Sequence, residues 1–359
     1  MERRRIGVLT SGGDCPGLNA VLRGIARTAQ ALGWEVVGFM EGFEGLLPPG
    51  HYVMLDRHKT AGIMHLGGTI LGTTNKGHFI AKVGLGQKAV IAGDIIEEAR
   101  KVLQSLRVEG LIVIGGDGSL TTALQLQQAG IPTVGVPKTI DNDLEATAMT
   151  FGFDSAVACV ADALDRLHTT ASSHRRAMVI EVMGRHAGWI ALYGGLAGGA
   201  DIILIPEIPF DFAKVAAAVH KRDEDGCLST MIVVAEGAKP RDGSQTVHQN
   251  GKGESRLGGI GEIVAHEIAE RIGKETRTCV LGHLQRGGAP TTLDRILGTR
   301  FGVHAVQMIN DGKYGRMVSY QNYQVTDVPI AEAVNRLRLV RPQGQMVQTA
   351  RAVEISFGD

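Results

Sequence analysis

Neither sign of charge is in excess: Lys and Arg together number 37, as do Asp and Glu. Without a global basic field, neither nucleic acid nor a membrane is expected as the main partner, and any anion site has to be local. Cysteine is sparse. The four, Cys15, Cys159, Cys227 and Cys279, lie far apart and form no CxxC pair. That fits neither a zinc site nor a disulfide framework, so reduced cytosolic thiols are expected. Proline is held to 11 residues and no G-X-Y period exists, which excludes collagen-like and low-complexity chains. Long apolar runs are missing too. The basic start Met1-Glu2-Arg3-Arg4-Arg5 precedes an apolar run, 6–10, too short for a signal-peptide core. The longest membrane candidate, 187–200, is Gly-rich and well short of a span. A soluble, cytoplasmic protein is expected.

What is present points to a folded chain whose backbone can approach anions closely. The 359 residues are 44% hydrophobic and 21% charged, an ordinary globular composition with length enough for two lobes. Glycine stands out at 49 residues. The glycines cluster after apolar runs, where backbone approaches phosphates closely.

Short apolar runs alternate with longer amphipathic segments. Residues 6–10, 35–39, 111–115 and 133–136 read as buried parallel strands, and 18–32, 91–106 and 119–129 as helices beside them. The alternation predicts a doubly wound α/β sheet with ligands at the carboxyl ends of its strands. It resumes beyond a boundary near Gly152, with strands at 177–182, 202–205, 230–235 and 278–282. Helices are expected there near 187–196, 212–221, 260–272 and 294–308. Residues 239–261, rich in Gly, Ser, Gln and charge, read as an exposed loop.

Two turns of one design, Gly12-Gly13-Asp14 and Gly115-Gly116-Asp117, each follow a strand and open a helix. They set two helix N-termini and their free N–H groups on one rim, where the helix dipole favours an anion. Neither is a Walker A loop, because no Gly-Lys pair is followed by Ser or Thr. The first alone is also a plain tight turn. In the second, Asp117 could hold Mg²⁺ beside nucleotide phosphates, although Asp117 or Ser119 would serve equally as a helix N-cap.

The third motif is more specific. Pro137-Lys138-Thr139-Ile140-Asp141-Asn142-Asp143 follows a strand and sets two carboxylates two residues apart behind a Lys and a Thr. Asp141 could accept the proton of an attacking hydroxyl, with Asp143 supporting it or a metal. Thr139 could donate to a phosphoryl oxygen, and Lys138 neutralise charge. Arg175-Arg176, Arg185, Arg277 and Arg286 each flank a strand candidate, and the arginine fork suits phosphate.

Together the Gly12–Asn19 loop, Pro137–Asp143 and Leu281-Gly282-His283-Leu284-Gln285-Arg286-Gly287-Gly288 resemble the phosphofructokinase family, over essentially the whole chain. The resemblance implies two Rossmann-like three-layer α/β lobes with the active site in the cleft between them. Residues 1–152 plus about 285–335 would bind the donor, and 153–284 plus about 336–359 fructose 6-phosphate. The implied reaction makes fructose 1,6-bisphosphate from fructose 6-phosphate with Mg-ATP, a step of glycolysis. Asp141 would be the base toward the 1-hydroxyl, with Thr139, Lys138 and Asp143 beside it. Arg185 would stabilise charge on the transferred group, and Asp117 would position Mg²⁺. Gly13, Asn75, Lys76, Gly116, Asp117, Gly118 and Ser119 would line the nucleotide. Met183, Gly184 and Glu236 would bind the sugar, with His283 and Arg286 on its 6-phosphate. Arg176 and Arg277 would join them from a neighbouring subunit, so a homotetramer is implied.

Three departures from the family pattern bear on donor and control. ATP-dependent bacterial members have Gly where this chain has Lys138. Pyrophosphate-dependent members carry that Lys, but pair it with an Asp where this chain has Gly118. An Asp there would crowd a nucleotide's α-phosphate, so the mixed pattern favours ATP, with pyrophosphate next and ADP still open. Asn75 replaces an Arg that bridges donor and acceptor, leaving the adjacent Lys76 as a point charge. Arg23, Arg27 and Arg57 match effector-phosphate binders, but Asp225 and Cys227 stand where a Lys pair is expected, so an effector of that kind is doubtful. The rival functions are a lipid- or NAD-type kinase and a non-catalytic nucleotide sensor. Neither explains an intact Asp141.

Overall fold

The structure is a computed structural model that describes residues 3–74, 76–79, 89–243, 245–249 and 255–359. In chain order the elements are β1 (Arg5–Thr10), α1 (Leu18–Ala31), β2 (Glu35–Phe39), β3 (Tyr52–Met54), α2 (Gly93–Ser105), β4 (Val108–Gly115), α3 (Asp117–Gln128) and β5 (Thr133–Pro137). There follow α4 (Phe153–His174), β6 (Ala177–Val182), α5 (Trp189–Ala197), β7 (Ile202–Leu204), α6 (Phe212–Glu224), β8 (Thr230–Ala235), β9 (Val247–Gln249) and β10 (Ser255–Leu257). The last are α7 (Ile260–Ile272), β11 (Thr276–Val280), α8 (Thr292–Asn310), β12 (Arg316–Gln321), β13 (Gln324–Pro329), α9 (Ile330–Ala333) and α10 (Gln345–Ala352). The chain divides into two compact units. Unit 1 comprises Met1–Ile140, Leu144–Ser155 and Arg286–Leu337; unit 2 comprises Asp141–Asp143, Ala156–Gln285 and Arg338–Asp359.

In unit 1 the sheet order is β13-β12-β5-β4-β1-β2-β3. The five central strands are parallel, and β3 and β13 are antiparallel edges. Six consecutive residues of β4 are buried, as a central strand covered on both faces requires. One face packs on α2, α3 and α9 through Leu103, Leu120, Leu126 and Ile330. The other is covered by α1 and α8, whose backbones meet closely: a Cβ on Gly302 would lie 2.4 Å from the Val21 carbonyl oxygen. The chain leaves β1 toward β2 on one side and returns to β4 on the other. That reversal opens a crevice at the carboxyl ends of β1 and β4.

Unit 2 is a parallel sheet in the order β11-β6-β8-β7. Val215, Val219, Val264 and Ile268 of α6 and α7 pack on one face. Helices α4 and α5 lie together, so closely that a Cβ on Gly194 would sit 2.7 Å from the Val160 Cβ. The reversal here falls between β6 and β11, which places the turns after β6, β8 and β11 on one rim.

The parallel strands agree with the sequence reading, and four differences are instructive. Residues 239–261 are not one loop: β9 and β10 form an antiparallel pair within them. The 22-residue α4 is the longest helix described and was not anticipated. The helix expected from Ser119 starts at Asp117, so Asp117 sits in its first turn. The strand expected at 278–282 ends at Val280, and Gly282–Arg286 is a 3-10 turn. All four cysteines are free, and burial pushes the Cys15 thiol up to about 12. Among the described residues no helix is long and apolar enough to cross a membrane.

The start of α8 carries a buried carboxylate. Asp294 accepts hydrogen bonds from the Ser155 N–H (2.8 Å) and hydroxyl (2.6 Å), while Thr291 caps the helix by accepting from the Asp294 N–H. Burial pushes the Asp294 carboxyl from 3.8 to about 6. A raised carboxyl is protonated in the folded chain at pH values where the unfolded chain has lost the proton. Its contribution is therefore largest below pH 3.8 and declines until pH passes about 6. Two units correspond to about 3 kcal/mol. The stability of Asp294→Asn relative to wild type, measured by urea unfolding, is expected to improve by that order across this window. A pH-independent difference would remove the assignment.

Candidate active site

Within unit 1, the crevice at β1 and β4 holds a pocket of 230 Å³. Ser11, Gly12 and Gly13 line it from the turn after β1, and Gly116, Asp117, Gly118 and Ser119 from the N-terminus of α3. Gly12 has φ +83°, a conformation that glycine adopts without strain. A Cβ on Gly13 would come 2.6 Å from Arg286 Nη1, so a side chain there would displace that guanidinium. The two turns are tied together: Ser119 Oγ donates to Ser11 Oγ at 3.0 Å, and Ser11 N–H to the Ile114 carbonyl at 2.9 Å. The first turn of α3 aims its N–H groups into the pocket, which favours anions.

The turn after β5 brings Lys138, Thr139 and Ile140 to the same pocket. Lys138 is buried and donates from Nζ to the Gly13 carbonyl, while its own N–H bonds the Gly115 carbonyl at 2.9 Å. Thr150 Oγ1 donates to the Thr139 carbonyl at 2.7 Å. These bonds hold the turn by its backbone and leave side-chain identity to function. Arg286, expected on the sugar phosphate, lines this pocket as well and donates from Nη1 to the Asp14 carbonyl at 3.0 Å. Lys76 lines it too. Asn75 lies outside the described residues.

The sequence reading missed five further lining residues, Phe43, Glu44, Thr74, Phe79 and Thr122. Phe43 and Phe79 stack with ring centroids 5.5 Å apart. Thr122 Oγ1 donates to the Phe79 carbonyl at 2.8 Å. The Glu44 carboxylate holds His78 Nδ1 at 2.9 Å and raises its pKa by that hydrogen bond. No motif flags these residues, because three separate chain segments supply them.

Asp117 is the carboxylate in the first turn of α3. Among the described residues no group of three or more His, Cys, Asp or Glu side chains is placed to hold a metal ion. Asp117 at a helix N-terminus in this pocket nevertheless suits Mg²⁺, which needs only one or two carboxylates and takes its other ligands from phosphate oxygens and water.

In unit 2, three turns stand side by side at the carboxyl ends of β6, β8 and β11. Met183, Gly184 and Arg185 follow β6, Glu236 follows β8, and His283 follows β11. Glu236 N–H bonds the Val182 carbonyl at 2.8 Å, and Gly237 N–H the Gly184 carbonyl at 3.1 Å. Gly184 has φ +141°, reserved in practice for glycine. Buried Gln285 braces the rim, accepting from Met183 N–H at 3.3 Å and donating to the Gly282 carbonyl at 3.1 Å. Arg185 and His283 are exposed. Asp141, Asn142 and Asp143 also belong to this unit. Asn142 is buried, with φ 51°.

Two expected residues do not join this rim. Arg176 precedes β6, and Arg277 pairs with Met178 near the start of that strand. Glu275 holds both, at 3.1 Å and 2.8 Å. Seven residues of extended chain separate Arg176 from Met183, about 23 Å at strand rise. Arg23 and Arg27 lie on α1, and Arg27 Nε is buried with no hydrogen-bond partner among the described residues.

Comparison with known proteins agrees with this architecture. The family model for phosphofructokinase matches residues 5–309. An "ATP-dependent 6-phosphofructokinase" of Chloroflexus aggregans is 52% identical over 358 residues, covering 100% of this chain and 99% of the relative. A "Pyrophosphate--fructose 6-phosphate 1-phosphotransferase" of Amycolatopsis methanolica is 50% identical over 343 residues, covering 94% of this chain and 97% of the relative. Among solved structures, Pichia pastoris phosphofructokinase in the T-state superposes with a TM-score of 0.82 at 31% identity. That match takes in 100% of this chain but 37% of the Pichia chain. The crevice turns, the Lys-Thr-Ile-Asp-Asn-Asp loop and the sequence match agree: this chain belongs to the phosphofructokinase family.

Proposed function

We propose that this protein transfers the terminal phosphoryl group of Mg-ATP to the 1-hydroxyl of fructose 6-phosphate, giving fructose 1,6-bisphosphate and ADP. The observation that carries the reading is the unit 1 pocket. It collects the turn after β1, the N-terminus of α3, Asp117 and Lys138, and is lined as well by the rings of Phe43 and Phe79. A bare diphosphate has no use for an aromatic lining. Unit 1 is the donor-binding unit and unit 2 the acceptor-binding unit.

The hydroxyl oxygen attacks the terminal phosphorus in line, the bond to the bridging oxygen breaks, and the hydroxyl proton passes to Asp141. Thr139 donates to a phosphoryl oxygen, while Lys138 and Arg185 neutralise the charge that spreads over the transferred group. Gly13, Gly116, Gly118, Ser119 and Lys76 hold the donor, and Asp117 holds Mg²⁺. The bound ion neutralises donor phosphate charge. Met183, Gly184, Glu236 and Asp143 orient the sugar, and His283 and Arg286 take its 6-phosphate. A coupled assay for fructose 1,6-bisphosphate with ATP, ADP and pyrophosphate in turn tests this. Turnover fastest with ATP is expected; no turnover with any donor would sink the reading.

Pyrophosphate is the second reading. Buried Lys138 favours it, as does the likeness to the pyrophosphate--fructose 6-phosphate 1-phosphotransferase of Amycolatopsis methanolica.

Arg176 and Arg277 sit at the opposite end of the unit 2 sheet from the acceptor rim, which supports their service to the site of another copy. A homo-oligomer, taken as a tetramer, follows. Mixing inactive Arg277→Ala chains with inactive Asp141→Ser chains is expected to restore part of the activity, because some sites then receive both residues intact. No recovery in verified mixed oligomers would count against shared sites.

A further inference from the structure

We infer that Arg338 is a positioning residue for the reaction, holding the loop 141–143 against the segment that follows Arg185. The inference rests on the reading of Asp141 as the base. Arg338 comes from the carboxyl-terminal stretch of unit 2, far in sequence from either loop, and no motif in the chain points to it.

The contacts are mutual and specific. Arg338 N–H donates to the Asp143 carbonyl at 2.8 Å, and its Nη1 to the Asn142 carbonyl at 3.3 Å. Its guanidinium lies over the Trp189 ring, 4.6 Å from the centroid. Trp189 Nε1 donates back to the Arg338 carbonyl at 2.9 Å. Two residues on, Val340 N–H donates to Glu207 Oε1 at 2.8 Å, and the same carboxylate accepts from Gly188 N–H at 3.0 Å. The strap 338–340 is thus tied at one end to the base-bearing loop. At the other it is tied to residues 188–189, immediately beyond Met183-Gly184-Arg185.

The loop needs such a hold. Asn142 is a non-glycine residue at φ 51°, a left-handed conformation that costs about 1–2 kcal/mol and persists only where its surroundings enforce it. An Asn142 free to relax would swing the peptide planes on either side, and with them both carboxylates. Arginine suits the post for two reasons. Its flat face packs on indole while its edge donates to a carbonyl, a pairing that lysine cannot reproduce. A single side chain therefore aligns the loop carrying the proton acceptor with the start of α5.

The test uses the full-length protein with Arg338→Met, Arg338→Lys, Arg338→Ala and Trp189→Phe. Arg338→Met is expected to lower kcat by about ten- to a hundredfold, the usual result of misplacing a reacting group by around an ångström. KM for fructose 6-phosphate should rise by clearly less than kcat falls, because Met183, Gly184, Glu236 and His283 keep their places and Asp143 alone among the sugar-orienting residues shifts. Arg338→Lys should recover part of the loss, Trp189→Phe should lower kcat less, and free guanidinium ion should restore part of kcat to Arg338→Ala. Hydrogen exchange of the peptide spanning residues 139–146 should quicken in Arg338→Met while that of α1 is unchanged. Unaltered exchange there, or kcat within about twofold of wild type, overturns the inference. A KM effect without a kcat effect does so as well. The exchange measurement needs no turnover, so it stands apart from the base assignment, which a near-normal kcat in Asp141→Ser would overturn by itself.

Discussion

Asp141→Ser is expected to lower kcat by about 10²- to 10⁴-fold, the range that a positioned general base supplies. The effect should fall on kcat and leave fructose 6-phosphate affinity within a few-fold. Backbone groups of the loop and its flanks are held by hydrogen bonds that the substitution leaves in place. Lys138 N–H bonds the Gly115 carbonyl, Thr150 the Thr139 carbonyl, and Arg338 N–H the Asp143 carbonyl. The variant therefore keeps its fold and its sugar contacts, and loses only the proton acceptor. Initial rates at saturating donor, with calorimetric titration of the sugar, separate the two quantities. A near-normal kcat would remove Asp141 as the base, and a lost sugar affinity would mark it as a binding group instead.

Gly118→Asp is expected to reduce kcat/KM for ATP by about 10²- to 10³-fold, and that for pyrophosphate by clearly less. The new carboxylate would stand in the first turn of α3, inside the pocket that collects the donor phosphates. Like charges about 4 Å apart at an effective dielectric near 20 repel by about 4 kcal/mol, so screening and side-chain relaxation still leave a large loss. A nucleotide brings a further phosphate and a base that pyrophosphate lacks, so it has more to lose from an added carboxylate. Relatives named for the two donors are 52% and 50% identical to this chain. Global similarity thus does not separate the donors, and a local side chain has to. Paired initial-rate measurements with the two donors decide it: equal losses would undo the steric argument.

Legibility followed the physical signal in each segment. The buried parallel strands β1, β2, β4, β5, β6 and β8 announce themselves, because a strand covered on both faces must be apolar throughout. Helix α4 did not. Its buried face, Ala156, Val160 and Leu164, recurs at helical spacing, the last two packing on Gly194 and Gly198, but it is interleaved with Ser, Cys, Asp and Thr that dilute the signal. The antiparallel hairpin of β12 and β13 alternates polar and apolar residues at a sheet edge, with β13 largely exposed or half-buried. The pair β9 and β10 lies in polar sequence that composition alone marks as loop.

The chain's own sequence determined the chemistry. Two Gly-Gly-Asp turns and a Lys-Thr-Ile-Asp-Asn-Asp loop restrict what can bind, because residue type and close spacing set charge and backbone approach without help from distant parts. Tertiary structure decided what depends on distant residues meeting. It brought Phe43, Phe79 and Thr122 from three segments to line one pocket and put Arg286 against Gly13. It set Arg176 and Arg277 at the end of the sheet away from the acceptor rim, and brought Arg338 to the catalytic loop. Such encounters arise from strand order and from the crevice it opens, and no local pattern encodes either.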